Sequence, residues 1–200
     1  MKIIKIKISN GVNKISQAEI DLIVEYLRRG KVMAYPTDTV YGLGCDARNA
    51  LAIKKINKIK GEKTKKPLLV LISDFKMLKK YCFVNSRQLK YLKKVWPGPI
   101  TAILKCRSNL PAELTGGLDS LAVRLPKAEF LVKIISKCGF PLVSTSLNKK
   151  GAKPLLRVEN LPKHFKYLPD LAVDAGECKN AKLSRLVDIR DMKNIKVIRK

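Results

Sequence analysis

The chain has 200 residues, which fits one domain or a domain with a short extension and is long enough to bury a sizeable core. Its content of 46% hydrophobic and 29% charged residues excludes a disordered chain. Lys and Arg total 42 against 16 Asp and Glu, and the resulting net charge of +26 excludes an acidic binding module and requires counter-ions or a polyanionic partner.

The first part of the chain alternates strand-like and helix-like patterns. Isoleucines alternate with lysines near the N-terminus, which is typical of a half-buried strand. Ser16 and Glu19 have the spacing of a capping box that begins a helix, and Gly30 is well placed to end that helix. The predicted elements are a strand at 4–8, this first helix, a strand at 31–35, a helix at about 50–60 with Ile53, Ile56 and Ile59 inward, and a strand at 68–72.

The rest of the chain continues the same interleaving. The predicted elements are helices at 74–81 and 86–95, strands at 100–105 and 121–125, a helix at 127–137 that stops at Gly139, a strand at 141–145, a loop with a short helix at 150–170, and strands at 171–174, 186–189 and 195–198. Helices that alternate with strands throughout favour a single α/β domain over residues 1–200, with a mixed, twisted sheet and flanking helices.

Several functional classes are disfavoured by what the sequence lacks. The longest strongly apolar stretch, 68–72, is far below the roughly 20 residues of a membrane span, and the N-terminus is unlike a secretory signal. We therefore expect a cytoplasmic protein without a membrane partner. No cysteines have Cys-x-x-Cys spacing and His164 is the single histidine, so we expect reduced thiols, no metal site and no Ser-His-Asp triad.

Four polar stretches adjoin predicted strands, where open sheets place ligands. The first, residues 36–44 (P-T-D-T-V-Y-G-L-G), combines hydroxyls, one carboxylate and glycines. These groups suit a zwitterionic or phosphorylated ligand, because glycine lets the backbone come close to it. A turn in which Thr and Asp cap local amides fits the same residues, and spacing does not separate the two interpretations.

The second stretch, residues 58–67, places five lysines within nine residues before a buried strand. These lysines suit a triphosphate or an RNA backbone. In a chain so rich in lysine, a solvated loop is the stronger interpretation of this stretch taken alone.

The third and fourth stretches lie at the ends of apolar strands. Arg124 interrupts an apolar strand, and because an unpaired buried arginine is unfavourable, it is expected to meet either a ligand anion or an internal carboxylate. Residues 144–148 supply three hydroxyls and an amide, which suit either a polar ligand or a capped turn.

Taken in order, these stretches resemble the YrdC/Sua5 family of L-threonylcarbamoyladenylate synthases over about residues 15–200. The matching motifs are Pro36–Gly44, Trp96-Pro-Gly-Pro-Ile-Thr101, Val123-Arg-Leu-Pro126, and Lys60 followed by Ser146-Leu-Asn148. Each motif alone is a weak signal, whereas four in order at fitting separations are a strong one.

The resemblance implies a YrdC-like α/β domain with a basic concave surface and a nucleotidyltransferase reaction. L-Threonine, bicarbonate and ATP, the last with Mg²⁺, give threonylcarbamoyl-AMP and pyrophosphate. A separate downstream threonylcarbamoyl transferase uses the product to make the t6A37 nucleoside of tRNA. The implied partners therefore include tRNA or double-stranded RNA besides the small substrates.

The resemblance also implies roles for individual residues. The positions that match contacts to L-threonine are Thr39, Arg124, Ser144 and Ser184. The positions that match contacts to the nucleotide, its phosphates or its Mg²⁺ are Lys60, Ser120, Ser146, Asn148 and Arg199. Lys60, Ser146 and Asn148 are the predicted catalytic residues among them.

The chain departs from the family pattern at several places. Glu62 stands where the family usually has arginine, and because a carboxylate repels phosphate, Lys63 is predicted to reach the anion instead. Pro154 replaces a common serine, and Arg185 replaces the threonine that usually follows Ser184. Longer members carry an additional C-terminal domain, which we do not expect here.

Two other functions are weighed against the synthase. The charge of +26 and the loss of arginine at Glu62 fit an inactive RNA-binding or ribosome-maturation protein of the same fold. A carbamoyl-transfer domain like that of hydrogenase maturation factors is disfavoured, because those proteins also carry acylphosphatase and zinc-finger segments. The synthase needs no protein nucleophile, so the missing catalytic dyads are consistent with it.

Overall fold

The computed structural model describes residues 1–9, 12–62, 66–107, 110–178 and 183–200, with backbone only at 7–9 and 12–14. The strands in these ranges are β1 (Lys2–Lys5), β2 (Lys7–Ser9), β3 (Val12–Lys14), β4 (Met33–Tyr35), β5 (Gly42–Gly44), β6 (Leu69–Leu71), β7 (Cys82–Phe83), β8 (Ile100–Cys106), β9 (Ser120–Arg124), β10 (Leu142–Ser146), β11 (Leu171–Asp174), β12 (Arg185–Asp188) and β13 (Lys196–Arg199). The helices are α1 (Gln17–Arg28), α2 (Ala50–Lys60), α3 (Phe75–Tyr81), α4 (Ser86–Val95), α5 (Ala112–Thr115), α6 (Glu129–Cys138) and α7 (Leu161–His164), with a 3₁₀ turn at Val158–Asn160.

One mixed sheet organises the fold. Its strand order is β1-β11-β4-β5-β10-β6-β9-β8-β12-β13, with β7 paired to β8 beside this path, while β2 and β3 pair separately. Near its centre, β9 is parallel to β6 and antiparallel to β8, and β8 is parallel to β12. The predicted α/β class with a mixed sheet and flanking helices is confirmed.

Helices α1 and α2 follow their sequence patterns closely. Ser16 and Glu19 form the predicted capping box, with the Glu19 amide donating to Ser16 Oγ at 3.2 Å and the Ser16 amide donating to Glu19 Oε2 at 2.8 Å. Gly30 follows the helix at φ +68°, a conformation that suits glycine. Ile53, Ile56 and the rest of the inward stripe of α2 are buried in the core. In the described ranges, no helix is both long and apolar enough to cross a bilayer.

The short elements differ from the sequence prediction. Gly42–Gly44, predicted as part of a loop, is a buried strand between β4 and β10. A Cβ atom on Gly44 would lie 2.4 Å from the carbonyl oxygen of Val143 and 2.8 Å from the ring of Tyr35. Gly44 therefore makes room for a neighbouring strand and a tyrosine, rather than for a ligand. The strand predicted at 4–8 is divided between β1 and β2. β7, α5 and the pairing of β2 with β3 were not predicted.

The two faces of the central sheet have different characters. Ala102, Leu104 and Val123 are buried in the core on one face. Because side chains alternate along a strand, Ala122 and Arg124 lie on the opposite face. Ala122 is half-buried, in contrast to its neighbours on either side. This second face holds the candidate site.

Candidate active site

A cavity of about 200 Å³ lies on this second face of the sheet. By the same measure a single water needs about 10–15 Å³, so the cavity has room for a much larger ligand. Its walls come from the loop after β4 and from β6, β9, β10, β12 and β13. Six predicted site residues line it together: Thr39, Arg124, Ser144, Ser146, Ser184 and Arg199.

Arg124 is the best-connected side chain of the cavity. Its Nη2 lies 2.7 Å from Asp38 Oδ1, its Nη1 donates to Thr39 Oγ1 at 3.0 Å, and its Nε donates to the Gly98 carbonyl at 2.9 Å. Of the two expected partners of Arg124, a ligand anion or an internal carboxylate, the structure contains the internal one, Asp38. Burial lowers the pKa of Arg124 and Asp38 raises it. These bonds to described residues use three of the five N–H groups of the guanidinium, which leaves two for a ligand.

Thr39 presents a hydroxyl group beside this guanidinium. Thr37 Oγ1 donates to the Val40 carbonyl at 2.7 Å and accepts the amides of Thr39 and Val40 at 3.0 and 3.1 Å. Its one donor and two acceptor positions are therefore occupied. Thr39 Oγ1 accepts from Arg124 Nη1 and shares a 2.8 Å hydrogen bond with Thr37 Oγ1 in which either hydroxyl can be the donor, and Thr39 lines the cavity. The 36–44 stretch thus combines both features expected of it. Thr37 caps the amides of its own turn, and residues of the same stretch line the cavity.

Arg199 and Ser184 form a second cluster in the cavity. Nε and Nη2 of Arg199 donate to the Ser184 carbonyl at 3.0 and 2.8 Å, and Nη2 reaches Ser184 Oγ at 3.2 Å. Ser184 Oγ also lies 2.8 Å from the hydroxyl of Thr101, which is fully buried. Burial and the charge of Arg124 lower the pKa of Arg199. The described part of the chain supplies this guanidinium with no ion pair, whereas Arg124 is paired with Asp38. One of the two arginines in the cavity is therefore not neutralised, and the cavity favours an anion.

Sequence reasoning missed two supports of these clusters. Gly98 supplies the carbonyl that fixes Arg124, and Thr101 supplies the hydroxyl that fixes Ser184. Both belong to the 96–101 motif, which carried the family resemblance but received no assigned site residue. The order of motifs was thus the available signal, while the contacts depend on β8 lying between β9 and β12.

Lys60 is buried behind the cavity rather than on its wall. Its Nζ donates to the carbonyls of Ser146 and Asn148 at 2.9 and 2.8 Å and to Asn148 Oδ1 at 3.2 Å. Because an ammonium group has three donors, these bonds account for all of them. Burial lowers the pKa of Lys60, and Glu62, whose Oε1 lies 3.8 Å away, raises it. Lys60 therefore holds the turn that presents Ser146.

The other predicted nucleotide residues are placed less directly. Asn148 stays in the same turn, where it accepts from Ser146 Oγ and donates to the Ala152 carbonyl at 2.7 Å. Ser120 is buried at the start of β9, on the same face as Arg124 but away from the cavity wall. Lys63 lies outside the described residues.

The three described lysines of the 58–66 cluster do not form one surface, and the other two, Lys63 and Lys65, lie outside the described residues. Lys58 Nζ lies 4.3 Å from the ring centre of Tyr167, a cation–π contact, while Lys60 points inward to its turn. Lys66 is exposed. Neither the triphosphate cradle nor the fully solvated loop describes these three residues, since each has a different environment.

Comparison with known proteins places this geometry in a family. A model of the Sua5/YciO/YrdC family, described as telomere recombination, matches residues 25–200. The threonylcarbamoyl-AMP synthase of Pyrococcus abyssi is 31% identical over 185 residues, which are 92% of this chain and 54% of that protein. The chain thus spans about half the length of that relative. The threonylcarbamoyl-AMP synthase of Blochmanniella floridana is 36% identical over 182 residues, covering 89% of this chain and 94% of that protein.

A solved structure agrees with these sequence matches. The structure of P. abyssi Sua5 complexed with L-threonine has a TM-score of 0.84 to this chain at 31% identity, covering 94% of this chain and 54% of that one. The family model spans most of the residues that build the cavity, from Thr37 to Arg199. From its fold, its motifs and these matches, the chain belongs to the Sua5/YciO/YrdC family.

Proposed function

We propose that this chain is a threonylcarbamoyl-AMP synthase, which converts L-threonine, bicarbonate and ATP to threonylcarbamoyl-AMP and pyrophosphate. The names of two relatives that are 31% and 36% identical support this proposal. The observation that carries it is one cavity that unites the Thr39–Arg124 cluster with the Ser184–Arg199 cluster. The first suits an amino acid and the second suits an anion.

L-Threonine binds at the first cluster. Its carboxylate accepts from the two unused N–H groups of Arg124 and from the Thr39 hydroxyl, since paired guanidinium donors match a carboxylate. Ser144 and Ser184, on the remaining cavity walls, bond its other polar groups. The binding of L-threonine by P. abyssi Sua5, whose structure is similar to this chain, supports this placement.

ATP binds with its phosphates toward the second cluster. Arg199 pairs with no carboxylate of the described residues, so a phosphate oxygen neutralises it. The Ser146 hydroxyl exchanges its bond to Asn148 Oδ1 for one to a neighbouring phosphate oxygen. Ser120, Asn148 and Lys63 extend the nucleotide contacts. Mg²⁺ arrives on the triphosphate, because this ion prefers phosphate oxygens and water to a protein cage.

The protein's part in the reaction is positioning and charge stabilisation. The amine of threonine adds carbon dioxide with loss of a proton, or bicarbonate with loss of water, to give a carbamate. A carbamate oxygen then attacks the α-phosphorus of ATP and displaces pyrophosphate. Arg124 holds the amino acid in place, and Arg199 offsets the charge that develops on the phosphates. No covalent intermediate with the protein is needed. A separate transferase passes the threonylcarbamoyl group to tRNA, where t6A is formed.

The decisive assay measures pyrophosphate release by purified protein with Mg-ATP. Release that requires L-threonine and bicarbonate together, with threonylcarbamoyl-AMP identified by mass spectrometry, is the expected result. The proposal is contradicted if pyrophosphate is released without L-threonine or without bicarbonate. It is also contradicted if no threonylcarbamoyl-AMP forms at any of several temperatures.

Glu62 favours a second candidate, an inactive RNA-binding protein of the same fold. Its carboxylate lies 3.8 Å from the Lys60 ammonium and therefore reduces the positive charge available there. This candidate predicts RNA affinity that falls steeply with salt and no affinity for ATP. Calorimetric titration with Mg-ATP in the absence of RNA separates the two, since only the synthase is expected to bind it.

A further inference from the structure

Two cysteines face each other across a short pair of antiparallel strands. Cys82 begins β7, Cys106 ends β8, and the register of the strands pairs them directly. The Arg107 amide donates to the Tyr81 carbonyl at 2.8 Å, so a backbone bond joins the residue after Cys106 to the residue before Cys82. In an antiparallel ladder this pattern marks a non-hydrogen-bonded pair. The Cα atoms of such a pair lie about 4.5 Å apart, with both side chains on one face.

This separation is suitable for a disulfide. Bridged cysteines have Cα atoms about 4.4–6.8 Å apart, so Cys82 and Cys106 need no movement of the backbone to be joined. Both are thiols in the structure. Burial raises the pKa of both thiols, that of Cys82 to about 12 with a contribution from the neighbouring Cys106, so a smaller fraction of each is ionised than of a free cysteine.

The two thiols differ in their access to solvent. Cys106 is partly exposed, and its Sγ lies 3.0 Å from the Arg107 carbonyl oxygen. Cys82 is only 1% exposed. A reagent in solution therefore reacts first with Cys106. The buried Cys82 can then react with the modified Cys106 beside it.

We propose that Cys82 and Cys106 are a reactive dithiol, which low-molecular-weight disulfides such as oxidised glutathione close into a cross-strand disulfide. The Cys106 thiolate attacks one glutathione sulfur, which breaks the glutathione S–S bond, releases one glutathione thiolate and leaves a mixed disulfide on Cys106. The Cys82 thiolate then attacks Cys106 Sγ and expels the second glutathione. The two cysteines lose two electrons and two protons, and the two released glutathiones gain them.

The bond would close a ring around two supports of the candidate site. The segment from Cys82 to Cys106 contains α4 and both Gly98, whose carbonyl fixes Arg124, and Thr101, whose hydroxyl fixes Ser184. β7 has only two residues, so its pairing with β8 is the short ladder that the disulfide reinforces. Oxidation therefore restrains the segment that supports the cavity and leaves the strand pairing unchanged.

The test treats the 200-residue chain with oxidised glutathione at alkaline pH, where more of the Cys106 thiol is ionised. Digestion without reductant and mass spectrometry are expected to yield one linked pair of peptides, joined through Cys82 and Cys106. The midpoint temperature of thermal unfolding is expected to rise by about 5–10 °C and to return to its original value after reduction with dithiothreitol.

Single variants assign the order of the steps. Cys82→Ala is expected to stop at a glutathione adduct on Cys106, and Cys106→Ala is expected to remain unmodified at Cys82. Cys138→Ala, which changes a buried cysteine on α6, is the matched control and keeps the link. The proposal is overturned if treated wild-type protein lacks the Cys82–Cys106 link at equilibrium or links other cysteines. The peptide map of the wild type decides this even if a variant does not fold.

Discussion

Arg124 and Lys60 are two buried cations that are equally inaccessible to solvent but differ in what their hydrogen-bond donors contact. Each is 4% exposed. Arg124 is neutralised by the carboxylate of Asp38 and keeps two donors for the cavity, whereas Lys60 directs its three donors to oxygens of the turn around Ser146 and Asn148. Burial of a charge therefore does not identify a ligand contact. The number of donors left after internal bonds are counted distinguishes a binding residue from a positioning residue.

Substitution of Arg124 is expected to have the largest effect. Arg124→Ala removes the donors for threonine and leaves Asp38 without its partner, so kcat/KM falls by about 100-fold or more, which corresponds to about 2.7 kcal/mol. Arg124→Lys keeps the charge without the fork of donors and recovers little of the activity. Steady-state kinetics with L-threonine as the varied substrate measures both variants.

The matched control for this substitution is Arg48→Ala. Arg48 also forms an ion pair with a neighbouring carboxylate, that of Asp46, but it does not line the cavity. The activity of Arg48→Ala is expected to stay within about twofold of wild type, because the Arg48 side chain is about half exposed and lies outside the cavity. Equal losses in Arg48→Ala and Arg124→Ala would show that the loss comes from stability rather than from binding.

Substitution of Lys60 is expected to reduce both stability and activity. Lys60→Ala removes three charge-assisted hydrogen bonds, to the carbonyls of Ser146 and Asn148 and to the amide oxygen of Asn148, at a total of about 3 kcal/mol in the free energy of unfolding. Activity falls about tenfold because the turn that presents Ser146 loosens. Chemical denaturation and kinetics on the same samples measure the two effects, with the exposed Lys54→Ala as control. A large loss of activity with unchanged stability would instead indicate direct contact with the nucleotide.

Ser146→Ala separates the hydroxyl from the turn that holds it. The turn keeps its bonds to Lys60, which go to the Ser146 carbonyl rather than to its hydroxyl. Activity is expected to fall about tenfold while the free energy of unfolding changes by less than about 1 kcal/mol. Near-normal turnover would remove Ser146 from the proposed nucleotide site.

Thr101→Val tests a support that lies outside the cavity wall. The change keeps the shape of the side chain but removes the hydroxyl that contacts Ser184 Oγ at 2.8 Å. Ser184 then loses its fixed orientation, and KM for L-threonine is expected to rise about fivefold with kcat nearly unchanged. A purely structural role for Thr101 predicts lower stability with the same KM.

The smallest expected effect is a pH dependence of stability that arises from Lys60. Burial lowers its pKa below the ordinary value of 10.5, so the unfolded chain binds more protons than the folded chain between the lowered pKa and 10.5. Over that window the wild type is expected to gain stability, relative to Lys60→Met, as the pH rises. Denaturation of both proteins at several alkaline pH values measures the difference, and a constant or falling difference would contradict the burial of a charged Lys60.

The sequence predicted best what depends on neighbours in the chain. The capping box of Ser16 and Glu19 and the inward isoleucines of α2 are local patterns, and both elements form as expected. β5 (Gly42–Gly44) was not predicted because glycine has a low strand propensity. The segment becomes a strand through its pairing with β4 on one side and β10 on the other. The partner of Arg124 was likewise open, since Asp38 is 86 residues away along the chain. Motif order predicted six residues that meet at the cavity, but it also assigned Lys60, Ser120 and Asn148, which do not line it. The internal bonds that occupy Lys60 depend on the folded turn.

The most direct test of the shared cavity is a crystal structure with L-threonine and a non-hydrolysable ATP analogue. The threonine carboxylate is expected within hydrogen-bond distance of Arg124 and Thr39, with a phosphate of the analogue beside Arg199 and Ser146. Ligands bound at separate places, or threonine bound away from Arg124, would contradict the proposal that one cavity brings the amino acid and the nucleotide together.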